Sequence, residues 1–143
     1  MDSIKDIQEE IVEEFEMFSD WMEKYDYLIE LGKSLPMIDS AYKTDENIIK
    51  GCQSKVWLHG ELTGDKVIFT ADSDAIITKG IIALMVRVLS NHSPEEILDA
   101  DMEFIDKIGL KDHLSPTRAN GLLAMIKQMK FYALAFKSKQ NQD

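Results

Sequence analysis

The sequence is short of cysteine, proline and long apolar runs, and each shortage excludes a class of protein. Its 143 residues include one cysteine and three prolines. A single cysteine cannot form an internal disulfide, which excludes a disulfide-stapled domain and fits a reducing compartment. Nor can it hold an iron–sulfur cluster by the usual ligation. The most apolar run, residues 81–89, is interrupted by Arg87 and is too short to span a bilayer.

Basic residues are also scarce. Against 26 acidic residues there are 16 Lys and Arg, which gives a net charge of −10 and a pI near 4.7. Phosphate backbones are bound by Lys and Arg, so we do not expect a nucleic acid partner. Eight acidic residues and one Lys lie in residues 2–20. A solvated helix face explains this stretch, and a surface that attracts a basic partner is the alternative.

The start of the chain, "MDSIKDIQEEIVEE", has neither the basic nor the apolar region of a signal peptide. We therefore expect a cytoplasmic protein without a membrane segment. Hydrophobic residues make up 45% and charged residues 29%, which predicts a globular chain. Without repeats or linkers in the sequence, residues 1–143 are expected to form one domain.

Apolar periodicity predicts a pair of helices at the amino-terminal end. Residues 4–18 carry an apolar stripe at helical spacing with glutamates between its members. A second helix is expected to start at Asp20, with Glu23 three residues on, and to end at Gly32. Residues 37–46 show no clear period and are predicted to be mostly loop.

A β-hairpin is predicted from two β-rich stretches, residues 55–59 and 66–71, around the turn residues "LTGD". Gly60 is expected to mark a bulge, and "ENIIK" is a candidate short strand beside the hairpin. The next helix, "AIITKGIIALMVRVLS", is apolar nearly all round and is expected at the buried centre, capped by Ser73 or Asp74.

Capping signals predict the remaining helices. "SPEE" combines an N-cap, a first-turn Pro and a capping-box Glu, and "DMEFIDKIG" is expected to stop at Gly109. "LSPTRANGLLAMIKQMKFYALAF" opens with cap and Pro signals and predicts a long last helix. Helices around a small antiparallel sheet give an α+β fold class.

Cys52 lies in "NIIKGCQSKVWL", where a polar loop turns into a strand. A lone cysteine is usually an inert apolar filler. Here Gly51 permits a positive φ that would present the thiol at a tip, and Gln53 and Ser54 follow. The flanking apolar residues are expected to supply a partly apolar pocket: Ile48, Ile49, Val56 and Trp57. A thiol that accepts and passes on sulfur needs such access and shelter.

Other chemistry finds less support. A Cys–His hydrolase needs a histidine base in reach, but no spacing ties His59, His92 or His113 to Cys52, and we expect surface or capping roles for them. Metal-ligand spacing and a phosphate-binding glycine loop are both missing from the sequence. Arg118 is either an exposed first-turn residue paired with Asp112 or a cation that favours a thiolate or grips a partner carboxylate.

Four stretches, in order, resemble the signatures of the SufE family of sulfur-acceptor proteins, which includes the CsdE proteins. They are "EKYDYLIELGKSLP", "GCQSKVW", "DSDAIITKGIIAL" and "HLSPTRANGLLAMI". The resemblance implies the α+β fold shared with IscU-type scaffolds, in which a small antiparallel sheet packs on helices. It also implies that Cys52 is the sulfur-accepting cysteine, supported by Gly51, Gln53 and Ser54.

The resemblance further implies how the protein works. Cys52 would take sulfur from the persulfide of a PLP-dependent cysteine desulfurase, SufS-like or CsdA-like, and carry it as a transient persulfide. The chain would thereby stimulate the desulfurase and supply a SufB-containing Suf scaffold complex. PLP belongs to that partner, so we expect no cofactor, no metal and no independent enzyme activity in this chain.

Asp74 and Arg118 fall on family motif positions and would lie near the partner-facing surface. The apolar helix faces are compatible with a weak homodimer. The alternative function is an acidic protein-binding module in which Cys52 is structural, and the reactivity of the thiol distinguishes the two.

Overall fold

A computed structural model describes residues 3–140, with two helices, a β-hairpin and four further helices along the chain. The helices are α1 (Ile4–Glu16), α2 (Trp21–Lys33), α3 (Ile76–Leu89), α4 (Pro94–Asp99), α5 (Phe104–Lys107) and α6 (Pro116–Gln140). The strands are β1 (Val56–Thr63) and β2 (Lys66–Ser73). Short 3₁₀ turns lie in the connections at Ser40–Tyr42, Asp45–Asn47 and Lys111–His113. The predicted α+β class is confirmed.

The first two helices begin where the sequence indicates. The Ser3 hydroxyl accepts the Asp6 N–H at 3.1 Å, and the Asp20 carboxylate accepts the Glu23 N–H at 2.9 Å. These side chains satisfy backbone donors that a helix start leaves unpaired. The predicted end of α2 at Gly32 is wrong, because the helix continues to Lys33 and is capped by Ser34.

Gly32 serves helix packing instead of helix termination. A Cβ on Gly32 would lie 3.1 Å from the backbone nitrogen of Gly80, and a Cβ on Gly80 would lie 2.3 Å from the Leu28 carbonyl oxygen. Real atoms do not approach as closely as the second contact, so α2 and α3 pack backbone against backbone at a pair of glycines.

Helix α3 is the buried centre of the molecule, as its nearly uniform apolar sequence predicts. Ten of its fourteen residues are buried. The surrounding core takes side chains from every other helix and from both strands, for example Leu28 of α2, Phe69 of β2, Ile97 of α4 and Leu122 of α6. Side chains that surround α3 therefore fix where its amino-terminal end meets the hairpin.

The hairpin is antiparallel and in unbroken register from Val56 opposite Ser73 to Thr63 opposite Lys66. Gly64 in the turn has φ +65°, which favours glycine and agrees with the predicted turn. The predicted third strand, "ENIIK", is wrong: it reduces to one bridge between Ile48 and Trp57.

The predicted bulge at Gly60 is also wrong, because Gly60 pairs directly with Phe69. A Cβ at Gly60 would lie 3.0 Å from Phe69 Cε1 and 3.1 Å from Tyr132 Cδ1. The glycine therefore makes room for two aromatic rings and leaves the ladder regular.

The capping signals of the second half are confirmed. The Ser93 hydroxyl accepts the Glu96 N–H while the Glu96 carboxylate accepts the Ser93 N–H. Gly109, with φ +71°, follows α5, and the Ser115 hydroxyl accepts the Arg118 N–H at the start of α6. Between residues 3 and 140 there is no helix long and apolar enough to cross a membrane.

We predict that Gly80→Ala destabilises the protein by about 3 kcal/mol, because the new Cβ overpacks the contact with Leu28. The sign is diagnostic, since alanine in a helix interior normally gains about 1 kcal/mol over glycine. Urea unfolding measures the change, with Ala83→Gly as the control for ordinary propensity in the same helix. A Gly80→Ala midpoint at or above that of the parent would contradict the close packing.

Candidate functional site

The cysteine loop, residues 50–54, is a tight tip between the approach to the hairpin and β1. It closes where the Ile49 N–H donates to the Val56 carbonyl at 2.8 Å. Gly51 has φ +98°, which confirms the positive φ expected there. A Cβ at Gly51 would also lie 3.3 Å from the Ala124 Cβ, so the loop rests on α6 as well as bending sharply.

The Cys52 thiol lies against bare backbone of α6. Its Sγ is 3.7 Å from the Gly121 carbonyl oxygen, and a Cβ on Gly121 would lie 3.2 Å from Sγ. The thiol is partly buried as a result. Reasoning from the sequence missed Gly121, although a glycine inside a helix without a capping role is a signal of close packing.

A cavity of about 270 Å³ opens beside the thiol. Its lining residues come from the cysteine loop, the start of α3 and the start of α6: Cys52, Gln53, Ser54, Ala75, Thr78, Ile81, Thr117, Arg118, Gly121 and Met125. Four of the six candidate residues thus meet in one place, and Gly51 and Asp74 lie outside the lining.

The apolar wall differs from the one expected. The predicted flanks, Ile48, Ile49, Val56 and Trp57, do not line the cavity. Ile49 and Val56 are instead buried in the core, away from the loop tip. The apolar lining comes from helices distant in sequence, through Ile81 and Met125.

The exit of the cysteine loop is fastened to the end of β2. The Asp74 carboxylate accepts the Lys55 N–H at 3.0 Å, and the Lys55 carbonyl accepts the Ser73 hydroxyl at 2.9 Å and the Asp74 N–H at 3.2 Å. The predicted capping by Ser73 or Asp74 is wrong, because Ala75 holds the N-cap position of α3 without a side-chain bond. Within the loop, the Ser54 hydroxyl lies 3.2 Å from that of buried Thr78.

Arg118 is exposed on the cavity wall. The expected ion pair with Asp112 is wrong: across residues 3–140, no ion pair involves Arg118. A guanidinium without a carboxylate partner here can bind an anion that enters the cavity or a carboxylate of another protein.

Burial raises the pKa of the Cys52 thiol above its ordinary value. Desolvation disfavours the thiolate, and nothing else shifts the pKa measurably in the resting geometry. The resting thiol is therefore mostly protonated at neutral pH, which makes it a poor nucleophile. An environment that removes the apolar cover would increase the thiolate fraction.

The three histidines lie elsewhere. His59 pairs with Glu61 at 2.9 Å and His113 stacks on Trp21, whereas His92 is buried, contrary to the expected surface or capping position. None of the residues that line the cavity is a histidine. In the described part of the chain no group of three or more His, Cys, Asp and Glu residues is arranged to hold a metal ion. The geometry therefore gives Cys52 no histidine base.

Fold and site together define a small α+β domain that shelters one thiol beside a loop tip. The family model SufE, described as "Fe-S metabolism associated domain", matches residues 9–133. The chain therefore belongs to the SufE family, and through it to proteins of iron–sulfur metabolism.

Two relatives and one solved structure illustrate the likeness. An uncharacterized SufE-like protein of Rhizobium meliloti is 39% identical over 127 residues, which cover 85% of this chain and 91% of the relative. SufE-like protein 1, chloroplastic/mitochondrial, of Arabidopsis thaliana is 40% identical over 136 residues, which cover 94% of this chain and 37% of that longer protein. The solution structure of a hypothetical protein from Thermus thermophilus has a TM-score of 0.76 at 21% identity, covers 90% of this chain and 94% of its own, and supports the fold.

We predict that alkylation of Cys52 in the native protein becomes half-maximal at a pH above the ordinary thiol value of about 8.5, because burial disfavours the thiolate. Initial rates of iodoacetamide labelling between about pH 6 and about pH 10, which bracket that value, measure the profile by mass spectrometry. The same chain in urea is the control and should show the ordinary value. Identical native and unfolded profiles would contradict the shelter.

Proposed function

We propose that the protein is a sulfur acceptor and relay. Cys52 takes sulfur from the persulfide of a PLP-dependent cysteine desulfurase, SufS-like or CsdA-like, and passes it to a SufB-containing scaffold complex. The observation that carries this proposal is the thiol beside a cavity that it shares with an exposed arginine, in a chain of the SufE family.

The transfer needs no oxidant. The Cys52 thiolate attacks the outer sulfur of the desulfurase persulfide, a new S–S bond forms at Cys52, and the old S–S bond breaks. The donor cysteine leaves with the electron pair as a thiolate, and the proton from Cys52 passes to solvent or to that leaving group. Thiol–disulfide exchange of this kind conserves the oxidation level overall.

The cavity suits a thiol that has gained one sulfur atom. Its volume of about 270 Å³ leaves room for that atom beside Ile81 and Met125, where water-borne reductants have little access. A persulfide is an anion when deprotonated, and Arg118 on the cavity wall is the cation suited to it, or to a partner carboxylate during docking. Gln53 and Ser54 shape the rim next to the sulfur.

Stimulation of the desulfurase follows from removal of its product. A desulfurase that keeps its persulfide cannot turn over again, so an acceptor accelerates the cycle. PLP and the chemistry on free cysteine belong to that partner, and this chain contributes the accepting thiol. We place the reaction in the cytoplasm, where glutathione keeps thiols reduced.

We predict that incubation with a SufS-type desulfurase and free cysteine adds about 32 Da, one sulfur, to each chain, as the exchange at Cys52 requires. Intact-mass spectrometry measures the gain, which reductant should reverse. Cys52→Ser is the matched control and should gain nothing, since its hydroxyl cannot replace the thiol. No gain in the parent with an active desulfurase, and no rise in turnover, would contradict the relay.

Docking of the desulfurase should open the cysteine loop, because the resting thiol lies against Gly121 and is mostly protonated. Hydrogen exchange of residues 49–55 should become faster in the complex, since the Ile49 and Lys55 amides lose their bonds to Val56 and Asp74. The β2 amides of residues 66–71 serve as the internal control. Unchanged protection of the loop on desulfurase binding would contradict the opening.

The alternative, an acidic binding module with a structural cysteine, has one observation in its favour. A groove of about 880 Å³ runs between α1 and the α4–α5 segment, and carboxylates such as Glu9, Glu13 and Glu103 line it. It shares no lining residue with the thiol cavity. A thiol that stays inert even when the desulfurase is present would favour this function.

A further inference from the structure

Asp72 is a buried carboxylate that the sulfur chemistry does not use. It lies at the end of β2 with 5% of its surface exposed. Lys43 Nζ donates to it at 2.8 Å, Lys79 Nζ lies at 3.3 Å, and the Ser73 N–H donates at 2.8 Å. Burial alone would raise the pKa of this carboxyl, but the bonds from these three groups outweigh it and hold the pKa below its usual value.

One lysine of this cluster fastens the chain that leads into the cysteine loop. We call residues 42–49 the entry arm. Lys43 Nζ lies 4.6 Å from the centre of the Trp57 ring while it binds Asp72. Further along, the entry arm bridges Trp57 through Ile48 and closes on Val56 through the Ile49 N–H. The Asp72–Lys43 pair thus begins a row of contacts along β1 that ends at the loop.

The other lysine ties the cluster to the far wall of the thiol cavity. Lys79 belongs to α3 and follows Thr78, which lines the cavity and meets the Ser54 hydroxyl. Asp72 also directly precedes Ser73 and Asp74, which fasten the exit of the cysteine loop. A single carboxylate therefore connects the entry arm, α3 and the segment that holds the loop exit.

We propose that Asp72 is a positioning residue for Cys52. Its two lysine pairs fix the entry arm and α3 relative to the hairpin, and this arrangement keeps the cysteine loop closed over the thiol cavity at rest. The inference deepens the proposed function, since the sheltered thiol is the sulfur acceptor, but the test below needs no desulfurase. Failure of sulfur transfer and failure of the positioning role are therefore observed separately.

The test is the rate of Cys52 alkylation in the native protein at fixed pH. Asp72→Asn keeps the size of the side chain and an oxygen for the Ser73 N–H, but it removes the charge that holds the lysines. We expect labelling about tenfold faster than in the parent, the effect on loop opening of losing one charge-assisted hydrogen bond. Lys43→Ala should act in the same direction.

Lys43→Arg separates positioning from general loosening. Arginine keeps the charge for Asp72 and can stack on Trp57, so its labelling rate should stay near that of the parent. Equal acceleration in Lys43→Arg and Lys43→Ala would overturn the proposal, because the ion pair would then not be what holds the loop.

Glu14→Gln is the matched control for lost stability. It breaks a partly buried ion pair of comparable length, 2.6 Å to Arg87, between α1 and α3 and outside the thiol cavity. Urea unfolding records the stability of each variant, and labelling is done far below the unfolding transition. Acceleration in Asp72→Asn but not in Glu14→Gln supports the proposal. Equal acceleration in both, or none in Asp72→Asn, overturns it; Lys43→Ala decides by the same comparison if Asp72→Asn does not fold.

Discussion

The contact of the Cys52 thiol with the bare backbone of α6 at Gly121 is the constraint on which the site depends. It exists because the loop tip turns at a glycine and the helix offers another glycine opposite. From this one contact follow the partial burial of sulfur, its raised pKa and the position of the cavity between α3 and α6. A larger side chain on either surface would separate them.

That contact creates a conflict between storage and reactivity. Shelter protects an unstable sulfur species, but the same apolar cover suppresses the thiolate that must attack. The anchors of the loop suggest how both demands are met. They lie at its two ends, at Ile49 and at Lys55, so the tip between them can move while the hairpin and α3 stay in place. The family to which the chain belongs makes the thiol the natural centre of this movement.

Much of the fold could be predicted from local pattern. The capping residues of α1, α2 and α4, the hairpin and the buried α3 all follow from rules that act within a few residues. Individual glycines and aspartates were misjudged where several local roles were available. Gly60 fits a bulge by sequence and serves two aromatic rings in the fold, and Asp74 fits a helix cap but binds Lys55.

The candidate site was predictable only in part, for the same reason. Cys52 and Arg118 stand out by residue type and motif, and the structure brings both to one cavity. Gly121, the second half of the thiol contact, lies 69 residues from Cys52, and no local rule links them. The cavity walls are likewise made by helices whose packing depends on the whole core.

The single cysteine has a consequence for how sulfur would flow. On the proposed function, one chain is a courier with a load of one atom, because the sequence offers no second thiol for a queue or a reserve. Each additional sulfide in a growing cluster then requires another visit to the donor. Supply would scale with the number of couriers and with how quickly each one docks and departs, so abundance of this small chain would itself regulate the rate of assembly.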